Sequence, residues 1–335
     1  MASYVLKVMN GQKNTAGTKA KLDITTLLSK NGFNEIDLAI QESKIWKLFF
    51  LKIKVRKALN KLKENDIFVI QYPMYSRVAI KTLLNICLKK GIKTILIIHD
   101  LESLRLYRDN SKKIAEELSI FKKVGCVISH NEMMSKWLKA NGVESKIENL
   151  QIFDYLNTEE RVDVSKNKNL VFAGNLAKSR FLEKWDIEKK ITVYGISPSK
   201  KYPKNVKYEG VKTPDELPTY LAGSFGLVWD GNSLETNSGV YGEYTKYNNP
   251  HKVSLYLSSG VPVIVWKEAA IAKFVKEKNV GIIVSNLNEI PAILEKMTDS
   301  QYDRIVANVN EIGEQLRCGK YTLDSVNKAK LFLLG

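Results

Sequence analysis

Short apolar runs recur along the chain, separated by stretches in which apolar residues return at helical spacing. Tyr4–Met9, Glu35–Ile40, Ile67–Gln71, Lys93–Ile98 and Val124–Ile128 are bounded by polar or glycine-bearing segments and predict strands. Between them, Ser76 is placed to cap a helix that Gly91 ends, and Asn131 to cap Glu132–Ala140. From Gln151 to Lys168 the sequence is polar and aperiodic. The alternation then resumes, with strands expected at Leu170–Ala173, Ile191–Tyr194, Val206–Tyr208, Ser224–Trp229, Val261–Trp266 and Val280–Val284. Helices fit at Pro214–Leu221, Pro250–Ser259, Ala269–Glu277 and Glu289–Met297, and Asp299–Leu316 and Leu323–Leu334 close the chain. Strand alternating with helix argues for parallel, doubly wound sheets. A chain of 335 residues is long for one core. The expected organisation is therefore α/β, with an N-terminal Rossmann-like domain over 1–155, a linker over 156–168 and a C-terminal Rossmann-like domain over 169–318. A last helix over 319–335 would pack back on the first domain.

Fifty-two Lys and Arg against 36 Asp and Glu leave a net charge of +16, which favours an anionic partner. A nucleic-acid-binding protein should concentrate basic and aromatic residues on one face, whereas the lysines here are spread through every expected helix, so no nucleic acid is expected. Three cysteines, widely separated and without metal-ligand spacing, read as reduced thiols of a cytoplasmic protein. Neither a leader peptide nor an apolar run near the ~20 residues of a membrane span is visible. Lys44–Lys63 is basic, amphipathic and aromatic-bearing. It reads as a sheet-covering helix with a basic outer face, and peripheral contact with the inner face of the membrane is an additional expectation.

Candidate chemistry collects at the expected strand ends, where open parallel sheets bind ligands. In Tyr244–Val265, Asn248 or Asn249 can cap a helix that Pro250 starts and Gly260 ends. Free N–H groups and the positive dipole end favour an anion there, and Lys252 in the first turn adds a full charge. This is the expected diphosphate seat. Phe172-Ala-Gly-Asn-Leu-Ala-Lys-Ser-Arg180 contributes Asn175, Lys178 and Arg180, which can reach phosphate oxygens. Tyr194 and Trp229 offer aromatic faces for a base, and Asp230 a carboxylate for ribose hydroxyls. In the first half, Thr15, Gly17 and Thr18 in the loop after strand one are cleft candidates, though a plain turn reads equally well, and Gln71-Tyr72-Pro73 adds Tyr72. His99 and Asp100 end a core run, and either can take a proton from an acceptor hydroxyl or serve as a local cap. The chain contains no Asp-x-Asp, so cationic side chains and a helix end, not a divalent metal, are expected to neutralise a diphosphate. Two nucleotide-type halves without metal acids describe the GT-B glycosyltransferase arrangement, in which the two domains face a cleft.

Phe172-Ala-Gly-Asn-Leu-x-Lys, Gly226-Leu-Val-Trp-Asp230 and Tyr247-Asn-Asn-Pro-His-Lys-x-Ser-x-Tyr-Leu-x-Ser-Gly-x-Pro-Val-Ile-Val resemble the glucosyltransferase-three family, which extends the glycan on bacterial serine-rich-repeat adhesins. The same signature is similar to that of bacterial β-1,6-galactofuranosyltransferases. Ile98-His-Asp100 and Gln71-x-Pro73 also fit, so the resemblance spans nearly the whole chain. It implies a UDP-sugar donor held by the C-terminal domain, a saccharide or glycoprotein acceptor, no cofactor, no metal, and a homo-oligomer, dimer or tetramer. Carried over by position, Asn175, Lys178 and Lys252 would hold the diphosphate. Tyr194, Lys212 and Trp229-Asp230 would lie near the nucleoside, and the Asn14–Thr18 loop would close on the donor. The paired glutamates of retaining GT-B enzymes are missing before Gly260, where Ser254 and Ser258 stand, which implies inversion with Asp100 or His99 as base. A UDP-sugar epimerase of the same fold is the other enzymatic reading, and it would need a set of acid/base carboxylates where only isolated ones occur.

Overall fold

The computed structural model describes residues 1–9, 16–39, 50–74, 76–161, 166 and 168–335. The expectations placed on Thr15, on the Asn14 end of its loop and on the first part of Lys44–Lys63 lie outside these. The chain divides into two compact units, Met1–Leu150 with Tyr321–Gly335, and Gln151–Lys320. The change of unit comes before the polar stretch expected as a linker because Ile152, Phe153 and Tyr155 are buried. Phe153 O accepts from Ser254 Oγ at 2.6 Å, which fixes this segment to the second unit.

In the first unit, β1 (Ser3–Met9), β2 (Asn34–Ala39), β3 (Ile67–Tyr72), β4 (Lys93–Ile98), β5 (Cys126–Ser129) and β6 (Lys146–Asn149) form a sheet in the order β2-β1-β3-β4-β5-β6. Every neighbouring pair is parallel. The described helices between these strands are α1 (Ala16–Lys30), α2 (Leu51–Ala58), α3 (Arg77–Lys89), α4 (Glu102–Arg105), α5 (Ser111–Phe121) and α6 (Glu132–Ala140). Ser76 Oγ accepts from Ala79 N and Asn131 Oδ1 from Met133 N and Met134 N, as their N-cap spacing requires. β3 is buried throughout because helices cover both faces of the sheet, which is why it reads as an unbroken apolar run. The chain leaves β1 for β2 and then returns past β1 to β3. Right-handed crossovers therefore put α1 on one face and α2 and α3 on the other. The carboxyl ends of β1 and β3 are the switch point where this sheet can bind a ligand.

In the second unit, β7 (Leu170–Ala173), β8 (Ile191–Tyr194), β9 (Val206–Tyr208), β10 (Phe225–Val228), β11 (Val263–Trp266) and β12 (Gly281–Val284) are parallel in the order β12-β11-β10-β7-β8-β9. Its helices are α7 (Gly239–Tyr244), α8 (His251–Ser258), α9 (Ala272–Lys278), α10 (Ile290–Lys296) and α11 (Asp299–Arg317), while α12 (Lys320–Leu334) joins the first unit from Tyr321 onward. The helix expected over Pro214–Leu221 is instead a short 3-10 turn, Leu217–Tyr220. Pro218 removes a backbone donor in the middle of that stretch.

The switch point of this sheet lies between β7 and β10, whose register is limited to Phe225↔Leu170 and Gly226↔Val171. Beyond that the strands part and Tyr256 of α8 fills the gap: its hydroxyl accepts from Ala173 N at 2.8 Å and donates to Leu227 O at 3.4 Å. A Cβ at Gly226 would come within 2.4 Å of the Tyr256 ring, so only glycine leaves it room. A fully buried tyrosine thus satisfies the ladder groups that the opening frees.

Candidate active site

In the second unit, Lys252 rises from the first turn of α8 to the carboxyl ends of β7 and β10. Its Nζ donates to Asp230 Oδ1 at 2.9 Å and to Trp229 O at 3.2 Å, and lies 4.5 Å from the centre of the Phe172 ring. A Cβ at Gly174 would approach Lys252 Cε to 2.9 Å, so this glycine admits the lysine stem. Gly195 is equally constrained: its φ is +149° and a Cβ would sit 1.7 Å from Gly174 O. The small residues at these strand ends let the backbones close up around the lysine.

Asn248 and Asn249 do not cap α8, contrary to expectation. Pro250 itself is the N-cap, in extended conformation and without a side-chain cap. Asn249 is buried, and its Nδ2 donates to Gln151 O at 2.8 Å. Asn248 Oδ1 is buried without a hydrogen-bond partner. Side-chain caps are therefore missing from the start of α8, where the backbone donors and dipole favour an anion beside Lys252.

The segment after β7 is laced to the end of β10 by Gly231 N donating to Lys178 O at 2.7 Å and Phe181 N to Gly231 O at 3.0 Å. Asn175 Oδ1 caps the following turn through Ala177 N. The Lys178 ammonium stacks on the Tyr241 ring, 3.8 Å from its centre. Arg180 is directed elsewhere: its guanidinium donates to Glu183 and to Ser199 Oγ, with no contact to the Lys252 group. Trp229 is fully buried, with Nε1 on Ser233 O and its ring edge-on to Trp266, so it offers no face to a base. Tyr194 is buried as well, 6.2 Å from the ring of Tyr220. Tyr220 is the exposed aromatic of this group, and Lys212 Nζ lies 3.8 Å from its ring centre. Asn237, unnoticed in the sequence, clasps the long loop: it accepts from Asp230 N and donates to Thr245 Oγ1.

In the first unit, Asp100 follows β4 with its side chain a third exposed, and Oδ2 accepts from Arg105 Nη1 at 2.8 Å. His99 is buried, its Nε2 donating to Gln71 Oε1 at 2.8 Å. Gln71 Nε2 in turn donates to Lys21 O and Thr25 Oγ1, tying the ends of β3 and β4 to α1. Tyr72 does not face a cleft. Its phenol donates to buried Glu117 at 2.8 Å, and burial with that carboxylate pushes its pKa far upward. Glu117 also accepts from the N–H groups of Glu102 and Ser103, so the pair anchors the start of α4 next to Asp100. Gly17 lies in open space, and Thr18 lines a small pocket with Val8, Lys21, Thr25 and Gln71 at the switch point of this sheet.

Lys21 escaped the sequence reading, although a lysine at the start of the helix that follows strand one was a signal for it. Its Nζ donates to Pro73 O at 2.6 Å. Burial lowers its pKa to about 8, against the opposing pull of Asp100. Above that pH the positive charge facing Asp100 is lost. Folding stability should rise over this range: between about 8 and the ordinary lysine range the unfolded chain binds more protons, so the penalty for burying the charge is relieved as pH rises. Denaturant melts over about pH 6–10 check the sign, and Lys21→Ala should abolish the rise.

Among the described residues, no group of three or more His, Cys, Asp or Glu side chains could hold a metal ion. Among the described residues, too, no helix is long and apolar enough to cross a membrane. Family models of the N-terminal and C-terminal domains of glucosyltransferase 3-like proteins match residues 2–152 and 170–329. The chain is similar to beta-1,6-galactofuranosyltransferase WbbI of Escherichia coli (strain K12), at 31% identity over 331 residues covering 96% of each chain. It is also similar to glucosyltransferase 3 of Streptococcus gordonii, at 25% identity over 317 residues covering 94% of this chain and 93% of the relative. Among solved structures, an alpha-glucosyltransferase in complex with UDP superposes with a TM-score of 0.62 at 14% identity, covering 100% of both chains. A trehalose-6-phosphate structure from E. coli bound with UDP-2-fluoro glucose gives a TM-score of 0.62 at 12% identity over 98% of this chain and 99% of that one.

Proposed function

This chain belongs to the glucosyltransferase 3-like family of GT-B glycosyltransferases, and we propose that it transfers a hexose from a UDP-sugar to a saccharide acceptor with inversion. The observation that carries this reading is Lys252, held by Asp230 over the backbone of Gly174 beside the uncapped start of α8. Ammonium, helix N–H groups and the nearby Lys178 together supply the charge that a departing UDP requires. Asp100 takes the proton of the acceptor hydroxyl while that oxygen bonds to the anomeric carbon and the bond from that carbon to the UDP oxygen breaks. Buried His99, bonded to Gln71, supports this strand end instead. Inversion is supported by Ser254 and Ser258, which stand where retaining enzymes carry glutamates. Both are buried and turned to backbone carbonyls.

The higher identity to the galactofuranosyltransferase than to the glucosyltransferase favours galactofuranose as the donor sugar and a surface-polysaccharide intermediate as acceptor. Glucose transfer to a GlcNAc-modified glycoprotein is the competing assignment. The reaction in this reading needs no metal, runs in the cytoplasm and is carried by a homo-oligomer. The test is UDP release from a panel of UDP-sugars, each with and without candidate acceptors and with chelator present. Acceptor-dependent release from UDP-galactofuranose is expected. Turnover of no UDP-sugar with any acceptor overturns the reading.

A further inference from the structure

The outward side of α2 carries an arrangement that sugar transfer leaves unused. Leu51 and Val55 are buried in the unit. Phe50 and Ile53, by contrast, stand 54% and 60% exposed. Lys52, Lys54, Arg56 and Lys57 surround them in solvent, and no acidic residue occurs between Phe50 and Lys63. α2 and α3 run in the same direction, because Lys90 past the end of α3 donates to Leu59 O, Asn60 O and Leu62 O past the end of α2. Both helices follow strands and so begin at the carboxyl edge of the first sheet, the edge at which Asp100 stands. Val78, in the first turn of α3 and 42% exposed, adds an apolar side chain at that end.

Cations alone would suit any polyanion. Exposed Phe, Ile and Val side chains among them gain nothing from a phosphodiester backbone in water, but they do gain where anionic headgroups overlie hydrocarbon. We infer that the amino-terminal ends of α2 and α3 form a docking surface for an anionic lipid bilayer. Phe50 and Ile53 enter the headgroup–acyl boundary, and Lys52, Arg56 and Lys57 meet the headgroups. The Asp100 edge of the unit would then face the membrane, where a lipid-carried saccharide acceptor resides. That consequence rests on the transferase reading, whereas lipid binding is measured without turnover.

The test is co-sedimentation of the full chain with phosphatidylglycerol–phosphatidylcholine vesicles and with pure phosphatidylcholine vesicles. Binding to the anionic vesicles alone is expected. Reversal of the α2 cations (Lys52→Glu, Arg56→Glu, Lys57→Glu) should weaken it by about a hundredfold. Ile53→Asp should weaken it at least about tenfold. The same number of reversals at the opposite edge of the first sheet, in the last turns of α3 and α6 and just past α5 (Lys89→Glu, Lys139→Glu, Lys122→Glu), should leave it within about twofold of wild type, because the attraction falls off within a Debye length. All variants should melt at the wild-type temperature, since these side chains are exposed. Failure of the wild-type protein to bind, equal losses from both triple reversals, or unchanged binding by Ile53→Asp each overturns the assignment. Failure of the transferase test alone leaves it standing.

Discussion

Replacing Asp100 by asparagine is expected to lower kcat about 10²–10⁴-fold, the usual contribution of a positioned general base, while UDP affinity stays within about twofold. The side chain is isosteric and still accepts from Arg105, so the start of α4 keeps its place. Only the ability to take a proton is removed. The residues proposed to hold the donor belong to the other unit, which is why binding should be spared. His99→Gln makes the informative contrast: His99 is buried against Gln71 and acts through the position of the strand end, so its loss should be smaller and accompanied by a lower melting temperature. Single-turnover kinetics with saturating donor separate the two outcomes. Wild-type kcat in the Asp100→Asn variant would remove Asp100 as the base.

Asp100 was legible in the sequence as a strand-end residue, but its pairing with Arg105 was not. Eleven of the twelve described strands were legible: β3, β7, β10 and β11 are buried throughout and read as apolar runs, while edge strand β2 shows an alternation of buried and exposed positions. β6 was not, since Lys-Ile-Glu-Asn has a single apolar residue and no fully buried side chain. Strand ends were placed well enough to gather Lys252, Asp230 and the 174–178 segment at one switch point, and His99 with Asp100 at another edge. What strand position leaves open is the direction in which each side chain turns. Trp229 and Tyr72 both follow core runs, and both turn inward, the one onto Trp266 and the other to Glu117. Tyr220 was hidden inside an expected helix, and Asn237 among many polar loop residues. Neither carries periodicity, and only the closed backbone shows that one is exposed beside Lys212 and the other buried beneath Asp230.

Lys252→Ala is expected to weaken UDP binding about 10–100-fold, in line with loss of charge-assisted hydrogen bonds worth about 1.5–3 kcal/mol. The ammonium is already committed to Asp230 at 2.9 Å, and both side chains are about one-sixth exposed. Removing it therefore does two things. It deletes a cation from the proposed phosphate seat, and it leaves a poorly solvated carboxylate where, in that reading, the diphosphate charge enters. Asp230→Asn should cost less affinity, because the amide can still accept from Lys252 while one opposing negative charge disappears. The double variant should recover part of what Lys252→Ala loses, since the carboxylate that then repels the diphosphate is gone. Calorimetric titration of UDP into the four proteins gives the coupling between the two sites directly. A cation that merely pairs with Asp230 for stability would shift the melting temperature and leave UDP affinity unchanged. One that grips the donor shifts both, with non-additive affinities in the cycle.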